Sequence, residues 1–156
     1  MLFFTMPAWI GLRGLCNLLD GMIAVEGGLQ TRSGAIFNEF PDRIADSLFF
    51  LGAGMAARGE FSGVHLGWAA ALMAAIVAYV RVLGASAGAR HDFRGPMAKT
   101  HRMAILAIGC VAAGVELIVI ESSHSIRVTL GVIVLGCLIT IGRRLRGIVR
   151  SLDGGA

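Results

Sequence analysis

Charge is scarce in this chain of 156 residues: only 15% are Asp, Glu, Lys or Arg, where a soluble domain carries about 25%. That shortage excludes an ordinary water-soluble globule. The 56% share of hydrophobic residues excludes a disordered chain as well, because such chains are poor in apolar residues. Cysteine is sparse too. Cys16, Cys110 and Cys137 stand inside apolar stretches with no C-x-x-C spacing, which argues against a disulfide framework or a cysteine zinc site. The four histidines, His65, His91, His101 and His124, are scattered without metal-ligand spacing. The N-terminus has neither a basic leader region nor an A-x-A site, so no cleaved signal peptide is expected. Internal repeats and low-complexity linkers are missing.

What the chain has in abundance is apolar sequence, with a mean hydropathy of +0.75. Five apolar stretches run from Leu2 to Leu19, Ile44 to Ala57, Val64 to Val80, Met103 to Ile120 and Ile126 to Gly142. A membrane-crossing helix needs about 20 residues. The second stretch reaches that length if the helix starts near Asn38, which carries Asp42 and Asp46 into or beside the membrane. The two short connectors hold two basic residues, while the two long connectors and the C-terminal tail hold eleven. Basic residues collect on the cytoplasmic side, so the long connectors and the C-terminus are expected there and the Met1 end opposite. The net charge of +4 is thus that of a membrane surface, and nucleic acid is not an expected partner. The fold expected is all-α: a polytopic transmembrane helix bundle of about five spans, one domain over residues 1–156, with 143–156 as a basic cytoplasmic tail. A bacterial inner membrane is the expected location.

The stretch that promises chemistry is Asn17 to Asp46, NLLDGMIAVEGGLQTRSGAIFNEFPDRIAD. Asn17 and Asp20 are three apart and share a helical face. Gly34, Asn38, Asp42 and Asp46 recur every four residues, which on a helix makes one slowly turning stripe. Gly21, Gly27, Gly28 and Gly34 lie among the acidic positions, where glycine permits close approach of a ligand or a neighbouring helix. Two helix ends that offer carboxylates and amides on facing sides make an oxygen-rich pocket. Hard divalent cations prefer such donors, commonly shared with a substrate phosphate.

These residues resemble the CDP-alcohol phosphotransferase family. Its pattern D-x-x-D-G-x-x-A-R, followed by G-x-x-x-D-x-x-x-D, is met here at Asp20, Gly21, Ala24, Gly34 and Asp42. The run Asp42-Arg43-Ile44-Ala45-Asp46 is similar to the D-R-I-x-D of the phosphatidylinositol-phosphate synthase branch. Tyr79-Val80-Arg81 and Gly95-Pro96-Met97-x-Lys99-x-x-Arg102 are similar to the family's later cytoplasmic segment. The resemblance thus covers most of the chain. It implies a membrane enzyme of phospholipid biosynthesis. Such an enzyme moves a phosphoryl-alcohol group from a CDP-linked donor to a hydroxyl acceptor and releases CMP. It also implies two Mg²⁺ or Mn²⁺ ions, with Asp20, Asp42, Asn17, Asn38 and Asp46 as candidate ligands and Asp42 as the candidate base. Gly21, Ala24 and Gly34 would line the nucleotide and diphosphate, and Arg81, Lys99 and Arg102 would bind phosphate. Membrane lipids and a second copy of the chain are further implied partners.

The chain departs from the family pattern at three positions. Asn17 and Asn38 stand where the first and third aspartates belong, and Val25 replaces the arginine. Each asparagine removes a negative charge from the metal set, and the arginine's loss removes a phosphate or carboxylate partner. Glu26, Glu39 and Asp46 lie nearby. The family carries six spans with its motif after the second, whereas one apolar stretch precedes the motif here, so a first helix is expected to be missing.

Structural roles compete for the same residues. Asp20-Gly21 would serve to end a helix. Asp46 would pair with Arg43 or Arg13, and Asn17 and Asn38 would bond between helices. Glu116, deep in the fourth stretch, needs a partner, with Arg13 one candidate. Arg81, Arg90, Arg94, Lys99 and Arg102 would also serve as topology determinants and headgroup contacts. Finally, a degenerate relative that binds lipid or nucleotide, or supports a partner enzyme, is the alternative to catalysis.

Overall fold

The computed structural model describes residues 2–27, 33–57, 61–89 and 95–153. These form five α-helices in chain order: α1 (Leu2–Glu26), α2 (Gly34–Ala56), α3 (Phe61–Ser86), α4 (Lys99–Ile120) and α5 (His124–Asp153). The fold is an all-α bundle, as the run of apolar stretches predicts. Three helices, α3 from Ser62, α4 and α5, are long and apolar enough to cross a membrane. Both prolines within helices are accommodated, Pro7 in the second turn of α1 and Pro41 in α2. A neighbouring helix or side chain can satisfy the carbonyl that each proline leaves free.

Every helix outruns its apolar stretch. α1 continues through Asp20, Gly21 and Ala24 to Glu26, so Asp20-Gly21 does not break the helix. α2 begins at Gly34, four residues before Asn38, and α3 carries Arg81 within its last turns. α5 runs through Arg143, Arg144, Arg146 and Arg150, so that basic segment is helical as far as Asp153. The reason is that Arg, Glu and Leu are all strong helix formers. Hydropathy ends where the apolar environment ends, but backbone hydrogen bonding does not.

Packing follows the small residues. A Cβ added at Gly54 on α2 would meet the carbonyl oxygen of Gly63 at 2.6 Å and the Cα of Gly67 at 2.9 Å on α3. A Cβ added at Gly67 would in turn meet the carbonyl oxygen of Phe50 at 2.8 Å. Backbone therefore touches backbone at the α2–α3 crossing, the close approach that small residues permit between membrane helices. The core is built on Phe50, Leu106, Ile126, Leu130 and Ile133, all fully buried. Large apolar side chains such as Trp68, Leu72, Ile108, Ile118 and Leu135 are more than half exposed. A water-soluble protein does not present that much apolar surface, whereas lipid covers it without cost.

Glu116 finds a use inside the fold. Its carboxylate accepts the backbone N–H of His124 at 3.0 Å and of Ser125 at 2.7 Å. It thus caps the first turn of α5 from the neighbouring helix, where orphan donors and the helix dipole both favour an anion. Its partners are these amides and the neighbouring Ser122 and Ser125 side chains, not Arg13.

Candidate anion site at one end of the bundle

The alternating helices bring the C-terminal parts of α1, α3 and α5 to the same end of the bundle as the N-terminal parts of α2 and α4. Charged residues from all five meet there. The stripe expected on α2 exists: Asp42 and Asp46 are buried, Asn38 is half-buried one turn before them, and Gly34 starts the helix.

Arg13 on α1 holds both aspartates. Its Nη2 donates to Asp42 Oδ1 at 2.6 Å and to the Asp42 carbonyl oxygen at 3.1 Å. Its Nη1 lies 2.7 Å from Asp46 Oδ1. One turn further along α1, Asn17 Nδ2 donates to Asp42 Oδ1 at 3.0 Å. The other Asp42 oxygen accepts from Lys99 at the start of α4. Asp46 also faces Arg102, whose Nη2 lies 3.8 Å from Oδ2. Neither Asp46 oxygen makes a well-aligned hydrogen bond, so charge alone holds this carboxylate. Arginine is suited to bridging two carboxylates, because its planar fork offers several donors at once.

The position of Lys99 and Arg102 is itself constructed. Met97 donates its backbone N–H to Thr140 Oγ1 at 3.1 Å, and Thr140 bonds back to the Gly136 carbonyl at 2.7 Å. Arg102 Nη1 donates to the Met97 carbonyl at 2.9 Å. Gly95, with φ of +138°, permits this approach: a side chain there would be strained and would collide with Thr140. The segment before α4 is thus locked to α5, and Lys99 and Arg102 are aimed from it.

On the other side of Lys99 and Arg102 lies a cavity of about 200 Å³. Arg43, Arg81, Lys99, Arg102 and Arg144 line it, with Glu39 as the one carboxylate among the described residues. Arg81 pairs with Glu39 at 2.5 Å, and Arg43 pairs with it at 3.0 Å. Arg144 is buried and donates to the Val77 carbonyl at 3.0 Å. Arg102 is 1% exposed, and its Nε has no hydrogen-bond partner. Five cationic side chains around one carboxylate make a place for an anion. The cavity is smaller than the roughly 300–1,000 Å³ of a site for a drug-sized ligand, so it suits a phosphate-bearing headgroup and not a whole lipid. Two larger apolar grooves adjoin the charges. One, of about 680 Å³, runs between α1 and α2 beside Trp9, Leu48 and Phe49 and reaches Arg13. The other, of about 500 Å³, runs along Phe40 and Tyr79 and reaches Glu39 and Arg43.

Of the residues singled out from the sequence, Asn17, Asp42, Asp46, Lys99 and Arg102 come together, and Arg81 lines the adjoining cavity. Asp20 is exposed on α1 one turn beyond Asn17, and a Cβ added at Gly21 would meet nothing within 4 Å. Ala24 lies in the last turn of α1. Arg90 and Arg94 lie outside the described residues. Arg13, Glu39 and Arg144 are the members that the motif left out. Arg13 offered one signal: an arginine inside an apolar stretch must have a buried counter-charge.

The donor set does not fit the pair of divalent ions that the family resemblance implies. With Asn17 and Asn38 in place of aspartates, the four motif positions carry two negative charges instead of four. Both oxygens of Asp42 are already engaged by Arg13, Asn17 and Lys99. Among the described residues, no three His, Cys, Asp or Glu side chains converge as a metal site would require.

No protein-family profile matches the chain, and no solved structure matches it. It is 29% identical over 144 residues to an uncharacterized protein of Aquifex aeolicus, a match that covers 91% of this chain and 67% of that protein. It is 45% identical over 51 residues to the inner membrane protein YnbA of Escherichia coli, covering 33% of this chain and 25% of YnbA. The chain thus spans two thirds of the first relative's length and matches a quarter of the second's. Taken with its three long apolar helices, these likenesses make it a helical membrane protein.

Proposed function

We propose that the protein is a membrane transferase of the CDP-alcohol phosphotransferase type. It would move a phosphoryl-alcohol group from a CDP-linked donor to a hydroxyl acceptor and release CMP. The observation that carries this reading is the junction at Lys99. That one ammonium bonds Asp42, the residue matching the family's last aspartate, and also lines a cavity of basic side chains.

The chain's own residues have definable tasks in such a reaction. Arg81, Lys99, Arg102 and Arg144 bind the negative charge of the donor diphosphate or of a phosphorylated acceptor. Fixed cations of this kind act strongly on charge that develops during phosphoryl transfer, because they are already oriented before the reaction. The two apolar grooves that reach Arg13 and Arg43 take acyl chains while the headgroup meets the charges. Asp42 accepts the proton of the acceptor hydroxyl as that oxygen bonds to phosphorus. The bond from phosphorus to the CMP oxygen breaks, and CMP leaves with the electron pair. The basic end of the bundle faces the cytoplasm of a bacterial inner membrane in this reading, as the excess of arginine and lysine at that end supports.

A second reading has its own support. The bonds from Arg13, Asn17 and Lys99 to Asp42 leave neither carboxylate oxygen open, which suits a relative that binds a phosphate-bearing lipid without turning it over. Purified protein in nanodiscs, supplied with CDP-diacylglycerol and a mixture of polyols and polyol phosphates, separates the two. CMP release that is lost in Asp42→Asn supports the transferase; saturable binding of CDP-diacylglycerol with no CMP release supports the binding protein.

A further inference from the structure

We infer that Arg13 and Lys99 supply at Asp42 the positive charge that divalent ions would supply, so that the site receives a phosphate-bearing ligand without metal. The inference rests on the proposed site for phosphate-bearing ligands and names what neutralises that ligand's charge.

Three observations carry it. First, the guanidinium of Arg13 occupies the space between Asp42 and Asp46, touching one at 2.6 Å and the other at 2.7 Å. A cation between two carboxylates is the electrostatic role of a bound metal ion. Here it is covalently part of α1. Second, Lys99 takes the remaining oxygen of Asp42, so a metal ion would have to displace two protein cations to reach it. Third, Asn17 keeps a polar group at the first aspartate position, yet it acts as a donor: its Nδ2 points to Asp42. A metal ligand needs a lone pair, whereas a hydrogen-bond donor serves a carboxylate already neutralised by cations.

The surrounding charge is consistent with this arrangement. Arg43, Arg81, Arg102 and Arg144 add positive charge beside Lys99, with Glu39 the one acid of the cavity among the described residues. A divalent cation entering this end of the bundle meets net repulsion, whereas a phosphate or diphosphate meets attraction. The asparagines and Arg13 thus act in one direction: fewer negative charges at the site, and a fixed positive charge beside Asp42.

The test is a titration of the full-length protein in nanodiscs of neutral lipid with Mn²⁺, read by the loss of the free-ion paramagnetic resonance signal. Wild-type protein is expected to leave Mn²⁺ free at equimolar metal. Lys99→Gln frees Asp42 Oδ2, Arg13→Gln leaves Oδ1 to Asn17, and each removes a repelling charge, so each is expected to tighten Mn²⁺ binding by about tenfold or more. In parallel, CDP-diacylglycerol binding to the wild type is measured in EDTA and in Mn²⁺; the affinities are expected to agree within about twofold. Stoichiometric Mn²⁺ capture by the wild type overturns the inference, as does lipid binding that EDTA abolishes. If neither variant folds, the wild-type titration decides alone. If CDP-diacylglycerol binds in neither buffer, the proposed donor is wrong, and the Mn²⁺ titration still decides who neutralises Asp42.

Discussion

Thr140 on α5 accepts the backbone N–H of Met97 at 3.1 Å across 43 residues of sequence, and through that bond α5 determines where α4 begins. Both groups are buried. Lys99 and Arg102 follow Met97 by two and five residues, so their aim depends on a hydroxyl that belongs neither to α4 nor to α2, the helix of the aspartate pair. Thr140→Val keeps the shape and removes the acceptor. It is expected to lower stability by about 1–3 kcal/mol, the cost of a buried amide left unpaired. It is also expected to weaken CDP-lipid binding. Thermal unfolding in detergent measures the first effect and a lipid-binding titration the second; a stable variant with full affinity would show that the start of α4 is fixed elsewhere.

Arg13 neutralises two carboxylates at once, and Asp46 is 2% exposed with no well-aligned hydrogen bond of its own. Arg13→Gln alone therefore leaves Asp46 facing the more distant Arg102 at 3.8 Å and is expected to cost up to about 3–5 kcal/mol. Asp46→Asn added to Arg13→Gln is expected to recover part of that loss. A double-mutant cycle on the unfolding free energy reports the coupling. Additive effects would mean that the pair does not interact in the folded protein.

In the proposed reading, the accessible cavity cations bind charge more than they hold the fold. Lys99 is one-third exposed at its side chain, so Lys99→Met is expected to reduce affinity for a CDP-lipid about tenfold or more, as removal of a charge-assisted hydrogen bond does. Its melting temperature is expected to shift far less than that of Arg13→Gln. Raising the salt concentration should weaken binding by the wild type more than by Lys99→Met. Equal salt dependence in both would remove Lys99 from the anion site.

Glu116 offers the contrasting case. Glu116→Ala withdraws the acceptor from the His124 and Ser125 amides and is expected to lower the melting temperature slightly, as losing a helix cap does. Lipid binding should be unchanged, because 17 residues of helix separate it from Lys99, roughly 25 Å. A loss of affinity equal to that of Lys99→Met would connect the two ends of α4 in a way the geometry does not provide.

The α2–α3 crossing is a packing limit. Gly67→Val drives two methyl groups into the carbonyl of Phe50 and the backbone of Gly54. The helices must part, and a loss of about 1–3 kcal/mol or more is expected, visible as a lower melting temperature or a reduced yield of folded protein. Gly11→Ala, with nothing within 4 Å of an added Cβ, is the matching substitution expected to be harmless.

The sequence by itself determined the helical class, the membrane setting and one face of the site. Those properties are written in short-range order: apolar runs of helical length, and an asparagine-aspartate stripe recurring every four residues on α2. The period of the helix turns such spacing into geometry without help from the rest of the chain. It also placed Asp42 and Lys99 among the functional candidates, through a motif whose members sit close to helix ends. Tertiary structure alone decided which cation meets which carboxylate. Arg13 could have met Glu116 or Asp46 on grounds of burial, and the crossing of α1 over α2 set it between Asp42 and Asp46 instead. Arg144 reads as one of several basic residues after the last apolar stretch, until the helix continues and buries it against the Val77 carbonyl. Charge acts over distances that span helices, so its pairing depends on register between segments far apart in sequence, and no local pattern encodes that register.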